Sequence, residues 1–185
     1  MPRLRPGFAF VYPVGREAFS GIPAPGSEPR VIGVLSREVR ELWAATRIVV
    51  WPERYWLVAL PPSAAPYAAE WFGGIAGSFG GIVAERDELS LTLPENLWLG
   101  SPLRARARSA AGPFRAITLD LELPLGVTGY LAPVAERLAS AGVSIVPQCG
   151  YSRDHVLVRE EQLETALATI RALVEEAGGP PGAAG

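Results

Sequence analysis

Lysine is absent from this 185-residue chain, and all 17 basic residues are arginine. Against 19 acidic residues they leave a formal net charge of -2, which offers no draw toward nucleic acid or an anionic membrane. A single cysteine, Cys149, excludes an intramolecular disulfide and a cysteine-based zinc cluster. A single histidine, His155, excludes a histidine-rich metal site and leaves any Ser-His-Asp machinery resting on one residue. No apolar run approaches the ~20 residues that cross a bilayer. The opening MPRLRPGFAFVYPVG carries Arg3 and Arg5 before an apolar run, as a secretory leader does. Pro13 breaks that run and no small-residue cleavage site follows cleanly, so a cytoplasmic protein is expected.

What is present is a succession of short apolar segments. Proline and glycine crowd residues 22–29 and mark a loop. RVIGVL, residues 30–35, reads as a strand, and Ser36 as the N-cap of a helix that places Val39, Leu42 and Trp43 on one face. RIVVW and YWLVAL read as strands on either side of a turn at Pro52-Glu53-Arg54. A short helix from about Pro66 and a hairpin of FGGIVA and ELSLTL come next. Residues 95–113 mix turn formers with arginine and read as a linker, with the Arg104, Arg106, Arg108 alternation as a solvated edge. The glycine-rich stretch Gly73 to Gly81 lacks the Gly-Lys-Ser/Thr ending of a phosphate loop and reads as a connection.

The final third has the steadiest periodicity. FRAITLDLEL alternates as a strand. Leu131, Val134, Ala135 and Leu138 then fall at helical spacing up to Gly142, a C′ residue. Two strands flank a turn at Tyr151-Ser152-Arg153. The last helix, from about residue 160 to 177, puts Leu163, Leu167, Ile170 and Val174 on one face, and residues 178–185 form a tail. The order strand, helix, strand, strand, helix predicts an α+β class with an antiparallel sheet and helices on one face. Residues 55–94 echo it loosely.

Between the alternating strand and its helix lies LPLGVTGYLAPV, from Leu123 to Val134. A glycine turn at a helix start leaves backbone N–H groups facing outward, where anions bind. The alternative is a tight connection into a helix capped by Thr128. Both readings stand on the residues alone.

ELSLTLP, LPLGVTGYLAPVAERLASAGVSI and YSRDHVLVREEQL resemble the tandem ACT domain family, amino-acid-binding regulatory modules that include the cytosolic arginine sensors. The resemblance rests on Thr128-Gly129 opening the helix, Leu138 to Ile145, and the strand Asp154 to Val158. It implies two ACT-like ferredoxin-type βαββαβ units with antiparallel sheets, at residues 55–94 and 114–177. Residues 95–113 would link them, and residues 1–54 would be an N-terminal extension able to lend strands to the first unit. A first unit beginning at Arg30 is the other division. Pro124-Leu125-Gly126-Val127 departs from the family pattern, as do Pro147 and Cys149.

The resemblance places a small ligand, an amino acid, at the seam between the units. Leu125, Gly126, Val127, Thr128 and Gly129 would wrap it, N–H groups near Val127 to Tyr130 would hold its carboxylate, and Ile145, Val146 and Gln148 would offer carbonyls to its ammonium. Asp154 would pair with a guanidinium or ammonium, or else bond its own turn backbone. Glu122 would contact the ligand or simply face solvent beside Asp120. Cys149 reads as a small core residue. Strand alternation sends His155 opposite to Asp154. The expectation is a non-catalytic sensor without cofactor or metal, with a homodimer or a regulated protein as partner. An interaction or oligomerisation module without ligand, and an enzyme using His155, are the alternatives.

Overall fold

The computed structural model describes residues 35–75 and 77–179. The loop expected at 22–29, most of the strand expected at 30–35 and the end of the tail lie outside the described residues. Eleven regular elements run α1 (Arg37–Ala45), β1 (Arg47–Leu60), α2 (Ala65–Phe72), β2 (Gly81–Ala84), β3 (Leu89–Pro94), α3 (Glu95–Gly100), β4 (Ser109–Asp120), α4 (Ala132–Ser140), β5 (Ile145–Cys149), β6 (Asp154–Arg159) and α5 (Leu163–Ala177). The local signals act as their chemistry dictates. Ser36 Oγ accepts the Val39 N–H at 3.2 Å, capping α1. Beyond α4, Gly142 takes φ +72°, and Val143 N–H returns to Leu138 O at 2.8 Å, a Schellman closure.

The six strands form one antiparallel sheet in the order β2-β3-β1-β4-β6-β5. Two ferredoxin-like halves share its centre. In the first, β1, α2, β2, β3, α3 and β4 follow one another, and the strands lie in the order β2-β3-β1-β4. In the second, β4, α4, β5, β6 and α5 follow, and the fourth strand is the same β1. Two long strands therefore serve both halves, each opening one and closing the other.

That sharing changes two sequence readings. Pro52-Glu53-Arg54 is an interruption within β1, where the β1–β4 register shifts between Val50 and Arg54, and no turn separates two strands. Proline has no N–H for the ladder, so a bulge is where a strand tolerates it. The Trp51 carbonyl beside it accepts from Arg115 Nη2 at 3.0 Å. Residues 95–113, read as a linker, carry α3, a 3-10 turn at Pro102–Arg106 and the first residues of β4. Arg104, Arg106 and Arg108 are all exposed, as a solvated edge requires, and Arg106 lies over the exposed Tyr67 ring at 4.4 Å.

Both helical layers lie on one face. α1, α4 and α5 pack Trp43, Leu138 and Ile170 onto Ile48, Ile117, Leu119 and Val156. α2 and α3 pack Ala68 and Trp98 onto Val58, Leu60 and Leu91. The opposite face of the shared strands carries a third cluster, Tyr55, Phe79, Phe114, Ala116 and Leu157, partly covered by Trp51, Leu57 and Val146. The sheet curls around that cluster until its two ends meet: a Cβ at Gly81 of β2 would lie 3.2 Å from Gln148 Oε1 of β5. Two register shifts in β1 supply bend and extra twist.

Candidate functional site

The β5–β6 hairpin is the wall between two concave regions. On its helix-side end, β4 stops at Asp120 and the chain is tied to the hairpin turn by Leu123 N–H donating to Ser152 O at 2.9 Å. Val127 N–H closes a turn on Pro124 O at 3.1 Å. Gly129 follows at φ +85°, a left-handed conformation that L side chains rarely adopt, and this lets the chain reverse into α4. Thr128 does not cap that helix. Leu131 occupies the N-cap, without a side-chain bond, and Pro133 sits in the first turn.

A cleft of about 330 Å³ lies between this turn and the hairpin, lined by Leu125, Val127, Gly129, Tyr130, Cys149 and Asp154 among others. Gly126 and Thr128 are exposed on the same turn. Tyr130 reaches the cleft without its phenol. Its ring stacks on Trp43 at 4.8 Å, its hydroxyl meets Thr46 Oγ1 at 2.7 Å, and its carbonyl accepts from Trp43 Nε1 at 3.0 Å. Burial pushes that phenol up to about 12. Glu122 is exposed in an adjoining hollow with Leu125 and Tyr151.

The acids of this region divide. Asp120 accepts from Arg153 Nε and Arg47 Nη2, both at 2.6 Å. Arg153 first, then Arg47, hold its carboxyl below the usual carboxylate range. Asp154 forms no ion pair among the described residues. Its polar neighbour is the Cys149 thiol, pushed up to about 11 first by its hydrogen bond to Asp154 and then by burial. Cys149 is exposed on edge strand β5. The core position read from the sequence is wrong because the hairpin leaves that end of β5 uncovered.

Inside the curl, on the other side of the hairpin, lies a cavity of about 610 Å³. Trp51, Leu57, Phe79 and Val146 give it apolar walls, and Thr92, Gln148 and His155 bring polar groups. Gln148 Nε2 donates to Thr92 Oγ1 across it. Trp51 Nε1 donates to Thr118 Oγ1 at 2.8 Å, and Thr118 Oγ1 lies 2.8 Å from His155 Nδ1. A hydroxyl has one proton to give. With His155 Nδ1 as its acceptor, the ring proton is on Nε2, beside Gly150. Burial holds His155 below its usual value, so this donor is uncharged.

Strand alternation separates His155 from Asp154 as the sequence implies, the one facing this cavity and the other the cleft. The expected ligand set is likewise divided. Leu125, Val127, Gly129, Tyr130 and Asp154 come together, Val146 and Gln148 face the cavity, and Ile145 packs toward the helical core. Trp51, Phe79 and Thr92 carry no motif, because only the curl brings them to one place. Among the described residues no cluster of three or more His, Cys, Asp or Glu is placed to hold a metal. No helix among them is long and apolar enough to cross a membrane.

Comparison with known proteins agrees with this architecture. Residues 110–172, the segment from β4 into α5, match the model of the ACT domain family. No curated protein matches the chain. A protein of Agrobacterium tumefaciens shares its fold at TM-score 0.58 and 22% identity, over 70% of this chain and 89% of that one. A protein of unknown function from Vibrio cholerae, described as a possible transport protein, does so at TM-score 0.58 and 20% identity, over 75% and 97%. The regulatory subunit of aspartate kinase from Thermus flavus aligns at TM-score 0.52 and 16% identity, over 70% and 98%.

Proposed function

We propose that this protein is a non-catalytic regulatory module that binds an amino acid in the cleft between the glycine turn and the hairpin. One observation carries the reading. Asp154 presents a carboxylate without a cationic partner among the described residues, across a 330 Å³ cleft from the glycine turn that opens α4. The ligand's ammonium or guanidinium meets Asp154, and its carboxylate meets the N–H groups of the turn. Occupancy ties the turn to the hairpin and thereby changes a surface that a regulated partner or a second copy sees. The ACT domain match and the aspartate kinase regulatory subunit among fold relatives support a regulatory role. Catalysis finds no support in His155, which is held uncharged and faces away from Asp154.

Thermal unfolding against the twenty amino acids at millimolar concentration tests this reading. An amino acid present at a hundred times its dissociation constant adds about 2.7 kcal/mol. The expected result is a shift with one or a few of them that disappears in Asp154→Ala. No shift, or a shift that persists in Asp154→Ala, sinks the reading. A second reading, an oligomerisation module, draws on Ile82 and Val83, exposed at 40% and 54% on edge strand β2. It predicts melting that depends on protein concentration and ignores amino acids.

A further inference from the structure

The cavity inside the curled sheet takes no part in the amino-acid reading. We propose that it is a second binding site, for an uncharged aromatic or heteroaromatic molecule of nucleobase size that carries a hydrogen-bond acceptor. Its 610 Å³ lies within the range of small-molecule pockets. Its aromatic wall is held in place: Phe79 packs against His155 at 4.7 Å, against Tyr55 edge-on at 5.6 Å and against Trp51 at 6.2 Å. Rings fixed in this way stack on a flat ligand at little further cost in conformational entropy.

The polar groups set the ligand's charge. With Thr118 donating to His155 Nδ1, the Trp51–Thr118–His155 relay puts an uncharged Nε2–H at one side of the cavity. At the other, Thr92 Oγ1 accepts from Gln148 and keeps its own proton to give, while Gln148 Oε1 remains an acceptor. No lysine or arginine lines the cavity, and its formal charge is that of Glu85, an exposed residue. An amino-acid zwitterion or a phosphate entering here loses hydration with no cation to replace it. A neutral ring with a carbonyl or ring-nitrogen acceptor meets both donors. The cavity therefore selects against the chemistry the Asp154 cleft selects for, although Cys149 and Gly150 form part of both walls.

The test uses the full chain with adenine, uracil, nicotinamide and indole as probes, read by saturation-transfer NMR and by tryptophan fluorescence. The three probes with acceptors are expected to bind more tightly than indole, which lacks a ring-nitrogen lone pair. Binding is expected to weaken by about tenfold or more in His155→Leu. It is expected to vanish in Ser90→Phe or Val146→Phe, which fill the space from β3 and β5. Circular dichroism selects whichever filling variant is folded. Asp154→Ala leaves probe binding unchanged. The proposal is overturned if none of the four probes binds at about 5 mM, a concentration that detects even millimolar affinity. It is also overturned if binding is the same in a folded filling variant, or if Asp154→Ala abolishes it.

Discussion

Gln148 donates to Thr92 across 56 positions of sequence, from the last strand of the sheet to the second. Three strands, β1, β4 and β6, lie between them. In a flat sheet that separation is about 19 Å, four spacings of roughly 4.8 Å. The bond exists because the sheet curls until its edges close over the aromatic cluster, and it makes the cavity a property of both halves.

Removing that bond opens the curl. Thr92→Val and Gln148→Leu are each expected to cost about 1 kcal/mol, the net worth of one partly buried hydrogen bond. The double variant is expected to cost less than the sum, with a coupling of at least about 0.5 kcal/mol. Urea unfolding of the four proteins measures it. Strict additivity means the two side chains do not hold the sheet ends together.

Trp43 ties α1 to the turn that opens α4. Its indole is fully buried, stacks on Tyr130 and donates to the Tyr130 carbonyl. Trp43→Ala is expected to destabilise the protein by about 3–5 kcal/mol and to loosen the glycine turn. Tyr130→Phe removes only the hydroxyl contact with Thr46, at about 1 kcal/mol. Equal effects in denaturant unfolding are incompatible with the stacking argument.

The parts readable from sequence were those fixed by near neighbours. Ser36 capping α1, the hairpin of β2 and β3, Gly142 after α4 and the apolar stripe of α5 each depend on residues within a turn or two. The opposition of Asp154 and His155 follows from the two-residue period of a strand. What escaped depends on distant pairing. Pro52 reads as a turn until β4 is laid beside it, and residues 95–113 read as a linker until α3 is packed on β3 and β1. The cavity escaped most completely, since its walls come from β1, β2, β3, β5, β6 and the 78–80 loop.

Cys149 is exposed yet poorly nucleophilic, because Asp154 accepts its proton and opposes a thiolate. With the thiol at about 11, roughly one molecule in ten thousand carries the thiolate at pH 7. Iodoacetamide is expected to alkylate the folded protein slowly, and Asp154→Ala to speed it by about tenfold or more. Mass spectrometry of the alkylated chain gives the rates. An unchanged rate in Asp154→Ala sinks the assigned hydrogen bond.

His155 and Asp120 divide the acid response into two windows. His155 is held below 6.5, first by burial and then by Arg153, with Asp154 acting against them. As pH falls through about 6.5 the unfolded chain takes up a proton that the folded chain refuses, so stability drops by up to about 1.4 kcal/mol per pH unit until the folded imidazole titrates. Above 6.5 the contribution is complete. Asp120, held low by Arg153 and Arg47, stabilises the fold above the ordinary carboxylate range and loses this only below about pH 4. Urea unfolding from pH 8 to pH 3 is expected to show both declines. His155→Gln abolishes the first and leaves the second, and Asp120→Asn does the reverse. A wild-type profile flat between pH 6.5 and 5 means that His155 is not buried as an uncharged donor, and the relay from Trp51 through Thr118 fails with it.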